Sequence, residues 1–543
     1  MTDVSTDREP GEDAAPPSPD EAGVPPKKPV HKLHRALGPA MATAVVVGNV
    51  IGSGIFLKPG TIAADAGNFP LIISVWVAGG VLCILGALCF AELATMLPQA
   101  GGLYVYLREA YGRPVAFLFG WTEFLIRVPG SIAALSVVFI GQLIWLIEQL
   151  LSSSSTSSGP TVVFVNATGE VLMVAVVIAA LAGVNILGVV WGGWMQLVVT
   201  IIKAGVLALV ALMPIIVLAV NGGGIDPANY ATTITPQPIA GETAPPGLGV
   251  QIAAVLIAVM WAYNGWHGIT PLAEEVRRPQ RNIPLALIGG VGILIVLYLA
   301  ANFAYHGVLT MAEVRDVGVR NAAEGGRVVK ATAAGDMLQR LIGPAGVVMI
   351  AGVIMCSTFG AINTNLLTAP RITFAMGRDG VFFRDLGRVH ATFRTPAAAI
   401  FVTAAMAIGL VVLASVAKAL VFDVDTSAYT WNLGREFVES LKTGTIFDLA
   451  TNCVIFSASV FYALAVLALI VLRMRRPDLP RSYHTPGYPV VPLVFIAVYG
   501  WFLWEILRGK PLESGFGMLM ISLGVPAFFA YRRWSRGHDS DAL

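Results

Sequence analysis

Apolar residues along this chain neither alternate nor recur on one helical face. They run on. From Pro39 onward, one nearly uncharged stretch follows another, divided by short charged or Gly/Pro-rich breaks. Each is about 20 residues or longer, enough for a helix to cross a bilayer core roughly 30 Å thick. A helix that is apolar all round belongs in lipid or in a large core. The pattern predicts twelve spans, near 40–66, 70–97, 114–150, 168–187, 190–220, 249–276, 284–306, 341–376, 396–416, 446–472, 489–507 and 515–532.

Two of these spans are interrupted at mid-depth. Span one carries "GNVIGSGIFLKPG" (48–60), and span six carries "MWAYNGWHGITPLAEEV" (260–276). Unpaired backbone at membrane depth is tolerated only where it lines a cavity or is buried in protein. Small residues also serve helix packing. A matched pair of breaks five spans apart instead points to the binding site of a secondary transporter built from two repeats. The fold class expected is therefore all-α and polytopic, with twelve transmembrane helices. Ten would form an inverted five-plus-five repeat of the LeuT type with helices one and six broken, and two more would follow.

Composition agrees with the membrane reading. Of 543 residues, 56% are hydrophobic and 13% charged, and mean hydropathy is +0.74. Ordinary soluble domains carry about 25% charged residues. Charge placement adds orientation. Lys27, Lys28, Arg108, Arg113, Arg277, Arg278, Arg281, Arg384, Arg388, Arg475, Arg476, Arg532 and Arg533 fall in alternate connections and both tails. The positive-inside bias places those, and both termini, in the cytoplasm. Residues 1–36 read as a disordered cytoplasmic tail, 37–220 and 221–472 as the two repeats, 473–532 as two further helices and 533–543 as a cytoplasmic tail. The external side would carry "SSSSTSSG" (152–159), the sequon Asn166-Ala167-Thr168 and an insertion near 417–445. Cys83, Cys89, Cys356 and Cys453 lie in apolar segments without zinc spacing, as core residues do. No metal, cofactor or nucleic-acid partner is expected.

The motifs "GSGIF" (52–56), "WAYNGW" (261–266) with "EEVRRPQRNIP" (274–284), and "QAGGLYVYLREAYG" (99–112) resemble the amino acid–polyamine–organocation superfamily. "FLIRVPGSIA" (124–133) and "FGAINTNLLTAPRITFAMGRDG" (359–380) extend the match over roughly residues 35–475. Within it, the chain looks most like the bacterial relatives of the L-type amino acid transporters.

Unwinding exposes two opposite helix ends at one place. The outer half of span one presents free N–H groups and a positive dipole end. The inner half, and the first half of span six, present carbonyls suited to an ammonium. The resemblance implies that an α-amino acid puts its carboxylate on the N–H groups of Ser53, Gly54 and Ile55. Its ammonium would meet the carbonyls of Val50, Trp261, Ala262 and Asn264. Gly52 and Gly54 would leave room for that approach. Trp261 stands where the family has an aromatic lid, and His267 stands where an Asn is common, as a substrate contact or a pH-sensitive group. Glu274 and Glu275 have Arg278 and Arg281 as nearby partners for a gate, and Glu123 and Arg127 are spaced to pair on one helix face. Arg127 and Arg371 are placed to snorkel.

Lys203 lies well inside span five, and intramembrane ionisable residues face the bundle interior with a partner. The resemblance implies that its ammonium replaces the cation that bridges spans one and eight in sodium-coupled relatives, donating to a carbonyl just before Gly52 and to Ser357 of span eight. The expected function is sodium-independent transport of neutral L-amino acids by alternating access, through exchange or proton coupling. A carrier of cationic amino acids or polyamines would want a pocket carboxylate, and an amino acid sensor would keep the same pocket. No protease motif and no GxxxxGK[ST] loop occurs, so neither an enzyme nor an ATP-driven pump is expected. The external stretch between spans three and four lacks the cysteine that tethers a heavy chain in eukaryotic relatives, so no disulfide-linked partner is expected. Bilayer lipid and an amino acid are the partners; localisation would be the plasma membrane, with oligomeric state open.

Overall fold

The computed structural model describes residues 33–154, 167–237, 246–323, 331–421, 446–509 and 511–540. The tail before residue 33, most of 152–159, Asn166 of the sequon and most of the insertion 417–445 lie outside the described residues. Among those described, the regular structure is all helix apart from two isolated bridges, Leu37 with Val276 and Asn68 with Thr233.

Among the described residues, eleven helices are long and apolar enough to cross a membrane. They are span one (Pro39–Leu57), two (Phe69–Met96), three (Arg113–Gln149), four (Thr168–Leu187), five (Val189–Asn221), seven (Pro279–Val308), eight (Pro344–Arg378), nine (Ala397–Ala417), ten (Ile455–Arg475), eleven (Val490–Arg508) and twelve (Ser514–Ser535). The predicted sixth span is a shorter apolar helix, Leu248–Tyr263, followed by turns and a 3-10 segment, Thr270–Glu275. Its helix stops thirteen positions short of the predicted end at 276, because Asn264, Gly265 and Gly268 cannot carry the ladder onward; Gly265 takes φ 98°. Span one stops at Val50 and restarts at Gly54, then bends at Lys58 into Pro59–Ala66. Proline at the first helical position has no N–H to leave unpaired, so Pro59 starts the last piece cleanly.

Span two packs on seven, three on eight and four on nine, and span one lies against five, seven and eight. Close approach depends on small residues, since lipid offers helices no hydrophobic incentive to associate. At Gly290 a Cβ would stand 2.8 Å from Val46 Cγ1, so glycine there lets span seven sit directly on span one. The buried apolar residues fall into two principal bodies. The larger runs through spans one, two, six, seven and ten. A separate body is built from Val128 and Ile132 of span three, Ile178 and Leu181 of span four, Ile362 and Leu366 of span eight, and Ile400 and Ala404 of span nine.

Candidate binding site at the broken helices

The inner half of span one ends in carbonyls that have no helical partner, and neighbouring spans supply the donors. Lys203, 1% exposed, donates from Nζ to the carbonyl of Gly48 and, at 2.8 Å, to that of Ile51. A cation at a helix C-terminus is favoured by the aligned peptide dipoles. Ser357 of span eight shares its one hydroxyl proton between Ile51 O at 2.9 Å and Gly52 O at 3.1 Å. Lys203 and Ser357 therefore meet on the Ile51 carbonyl. From span seven, Tyr298 directs its hydroxyl at Val50 O (3.0 Å) and Ala262 O (3.1 Å), touching both breaks at once. Asn49 of span one donates to Gly265 O at 2.9 Å. A Cβ at Gly265 or Gly268 would lie 2.5 or 2.6 Å from the Asn49 amide, so both glycines are required for that clasp.

On the other side of the break, Gly54 opens the outer half-helix. Among the described residues, the N–H groups of Ser53, Gly54 and Ile55 find no backbone acceptor. The two glycines expected to make room there differ. A Cβ at Gly54 would meet Ala262 Cα at 2.8 Å and Trp261 Cδ1 at 3.3 Å. That glycine admits span six rather than a ligand. At Gly52 the nearest atom to an added Cβ is Val50 O at 3.8 Å, so the space beside it is not claimed by protein.

Polar side chains gather beside the span-six break. Trp261 is partly buried, with its indole edge over Gly54, and Ala262 is buried. Asn264 accepts the Tyr462 hydroxyl at 3.0 Å. The Tyr462 ring lies 4.8 Å from that of His267, which is buried with an unpartnered Nδ1. Glu123 and Arg127 pair as the spacing predicts, through both carboxylate oxygens, within a π-helical turn of span three. No group of three or more residues fit to hold a metal ion occurs among the described residues.

Two expectations at the far end of span six are corrected. Glu275 pairs with Arg371 of span eight at 2.8 and 3.1 Å, and both side chains are fully buried. Arg371 thus does not snorkel. Glu274 pairs with Arg378 at 2.8 Å. Sequence proximity had favoured Arg278 and Arg281, but Arg278 turns away with φ 46° to start span seven. The backbone of the strap before span one joins here, with Ala36 and Leu37 N–H on Glu275 O, both 3.0 Å. Tyr298, Asn49 and Tyr462 were not singled out from sequence. A lone Tyr or Asn in an apolar span carries no spacing signal.

A family model described as amino acid permease matches residues 37–521. The serine/threonine exchanger SteT of Bacillus subtilis (strain 168) is 29% identical over 503 residues, covering 92% of this chain and 98% of that protein. The b(0,+)-type amino acid transporter 1 of Mus musculus is 28% identical over 503 residues, covering 92% of this chain and 88% of its own length. The large neutral amino acids transporter small subunit 2 of the same species is 27% identical, with 92% and 82% covered. The match runs through both broken helices and every span that touches them: the chain belongs to the amino acid permease family of multi-pass membrane proteins, and amino acid transport is its activity.

Proposed function

We propose that this chain is a sodium-independent carrier of neutral L-amino acids, working by alternating access as an exchanger. The observation that carries the reading is the Lys203 ammonium on the Gly48 and Ile51 carbonyls, with Ser357 on the same oxygen. A fixed cation there does the work a sodium ion would do between spans one and eight. The substrate carboxylate takes the N–H groups of Ser53, Gly54 and Ile55, above the space beside Gly52. Its ammonium takes the carbonyls of Val50, Trp261, Ala262 and Asn264. Tyr298 already shares its one hydroxyl proton between two of these, but each carbonyl oxygen has a second lone pair. Neutral side chains fit because the carboxylate of span three, Glu123, is engaged by Arg127, and the break itself offers Asn264 and His267 rather than an acid.

The two apolar bodies supply the moving parts. Spans three, four, eight and nine form a scaffold, and spans one, two, six and seven a bundle that rocks against it around the site. The pairing of spans two with seven, three with eight and four with nine is what a five-plus-five inverted repeat would give. The chain acts in the plasma membrane with both termini cytoplasmic, as a transporter rather than an enzyme, and without a disulfide-linked heavy chain. Counterflow in proteoliposomes with twenty amino acids competing, in sodium and in choline buffer, tests all of this. Equal exchange of neutral substrates in both buffers is expected. Strict sodium dependence, or preference for cationic substrates, would overturn the reading.

A further inference from the structure

Below Lys203, toward the Pro39 end of span one, five polar groups from four spans join into one chain of hydrogen bonds. Asn185 of span four donates Nδ2 to Asn363 Oδ1 at 2.8 Å. Asn363 of span eight donates its own amide to Gln196 Oε1 at 2.8 Å. Gln196 donates to Thr200 Oγ1 at 3.1 Å, and Thr200 donates to the Ala44 carbonyl at 3.0 Å. Asn185, Asn363 and Gln196 are fully buried. Every donor points the same way, toward span one. Thr200 has a single hydroxyl proton, and because Gln196 occupies its oxygen as donor, that proton is committed to Ala44 O.

The spacing is matched across the interface. Span five offers Gln196, Thr200 and Lys203, while span one offers the carbonyls of Ala44, Gly48 and Ile51, each series on one helix face. Gly48 makes the contact tight, since a Cβ there would fall 2.0 Å from Gln196 Nε2 and 2.2 Å from Thr200 Oγ1. Thr200 and Lys203 are thus two rungs by which span five holds the inner half of span one, and Asn185 and Asn363 tie the lower rung to spans four and eight.

We propose that Gln196 and Asn363 are positioning residues for transport: their one-way chain fixes Thr200 as a donor to span one and so sets the balance between the carrier closed and the carrier open at the Pro39 end. The proposal rests on the transport reading above. Polarised hydrogen bonds strengthen one another in a low-dielectric interior, and the last link of the chain, Thr200 to Ala44 O, exists only while span one is docked. Undocking that half-helix surrenders its final bond. Weakening the chain therefore favours the state open at that end and lowers the fraction able to bind from the opposite face.

The test uses the full-length carrier in oriented proteoliposomes, with exchange of a neutral amino acid measured from each face. Wild-type exchange establishes transport independently of the variants. Gln196→Met keeps the volume but removes both links. It is expected to raise KM from the face opposite the Pro39 end about five- to ten-fold, leaving KM from the near face unchanged or lower. A structural defect alone would lower the maximal rate from both faces equally and leave both KM values in place. Gln196→Glu discriminates further. As a neutral acid it can donate to Thr200 and accept from Asn363, whereas ionised it only accepts. The groups facing position 196 from spans one, four and eight are Gly48, Asn185 and Asn363, which do not titrate, and Lys203 is the charged group on its own helix. Gln196→Glu should therefore match wild type at acidic pH and acquire the asymmetric KM as pH rises. Symmetric KM changes, no KM change in Gln196→Met, or a Gln196→Glu variant with the wild-type pH profile would each overturn the proposal.

Discussion

The Ile51 carbonyl accepts from two side chains, and that sharing makes a quantitative statement about Lys203 and Ser357. Lys203→Met removes the ammonium while keeping most of the side chain's apolar stem. Gly48 O then loses its donor, but Ile51 O still accepts from Ser357 at 2.9 Å. Ser357→Ala strips Gly52 O, but Ile51 O keeps Lys203 at 2.8 Å. Each single variant orphans one carbonyl, whereas the double variant orphans three. A buried polar group left without a partner costs about 1–3 kcal/mol. The double variant should thus lose about 1–3 kcal/mol more than the two singles together, a coupling of about 5–150-fold in an equilibrium constant. The assay is equilibrium binding of a radiolabelled neutral amino acid to the purified carrier, for wild type, both singles and the double. If the losses of the singles multiply to that of the double within about two-fold, Ile51 O is not shared, and the picture of a jointly capped half-helix fails.

Three further outcomes follow from the site and its surroundings. Gly52→Ala should leave the fold intact and abolish binding, because protein leaves the room that substrate needs. Gly54→Ala should lower thermal stability as well, by about 1–3 kcal/mol of overpacking against span six. Equal melting and equal binding loss in the two would refute that division. Trp261→Ala should widen competition toward large side chains such as Phe or Leu at some loss of closure, and an unchanged competition profile would return Trp261 to a packing role. Beyond the spans, Arg340 pairs with Glu313 and holds its carboxyl below the usual carboxylate range. A depressed folded-state pKa gives stability that is complete above the unfolded value, about 4.3 for Glu, and is lost as pH falls through the folded one. Hydrogen exchange in Ala333–Ile342 should accordingly quicken below about pH 4, and faster exchange toward higher pH, once corrected for intrinsic rates, would contradict the pairing.

What could be read from sequence was what depends on runs and breaks. The spans, the interruption at 52–54 and its partner at 264–268 follow from apolar length and glycine placement. Lys203 stood out because a charge inside a span is costly. The Glu123–Arg127 pair followed from helical spacing. Long-range pairings were not legible. Glu275 finds Arg371 across 96 positions of sequence, and nothing in "EEVRRPQR" distinguishes a buried carboxylate from a solvated one. Tyr298 and the Asn185–Asn363–Gln196 chain escaped for the same reason: single polar residues in apolar helices acquire meaning only when another helix is laid beside them. Gly54 was legible as a glycine but not in its reason, since its neighbour comes from a span more than 200 residues away.

The brevity of the inner half of span one bears on how the chain comes to be assembled. Pro39–Val50 has 12 residues, about 18 Å of helix at 1.5 Å per residue, well short of the roughly 30 Å of hydrocarbon. It cannot stand in a bilayer as a finished transmembrane segment. Its terminal carbonyls wait for Lys203, Tyr298 and Ser357, which leave the ribosome some 150 to 300 residues later. During synthesis this segment emerges well before the spans that complete it, held at the membrane by its outer half and neighbours until spans five, seven and eight arrive. Substitutions at its capping residues should register in biogenesis, as retention and turnover of nascent chains, before any finished carrier exists whose activity could be measured.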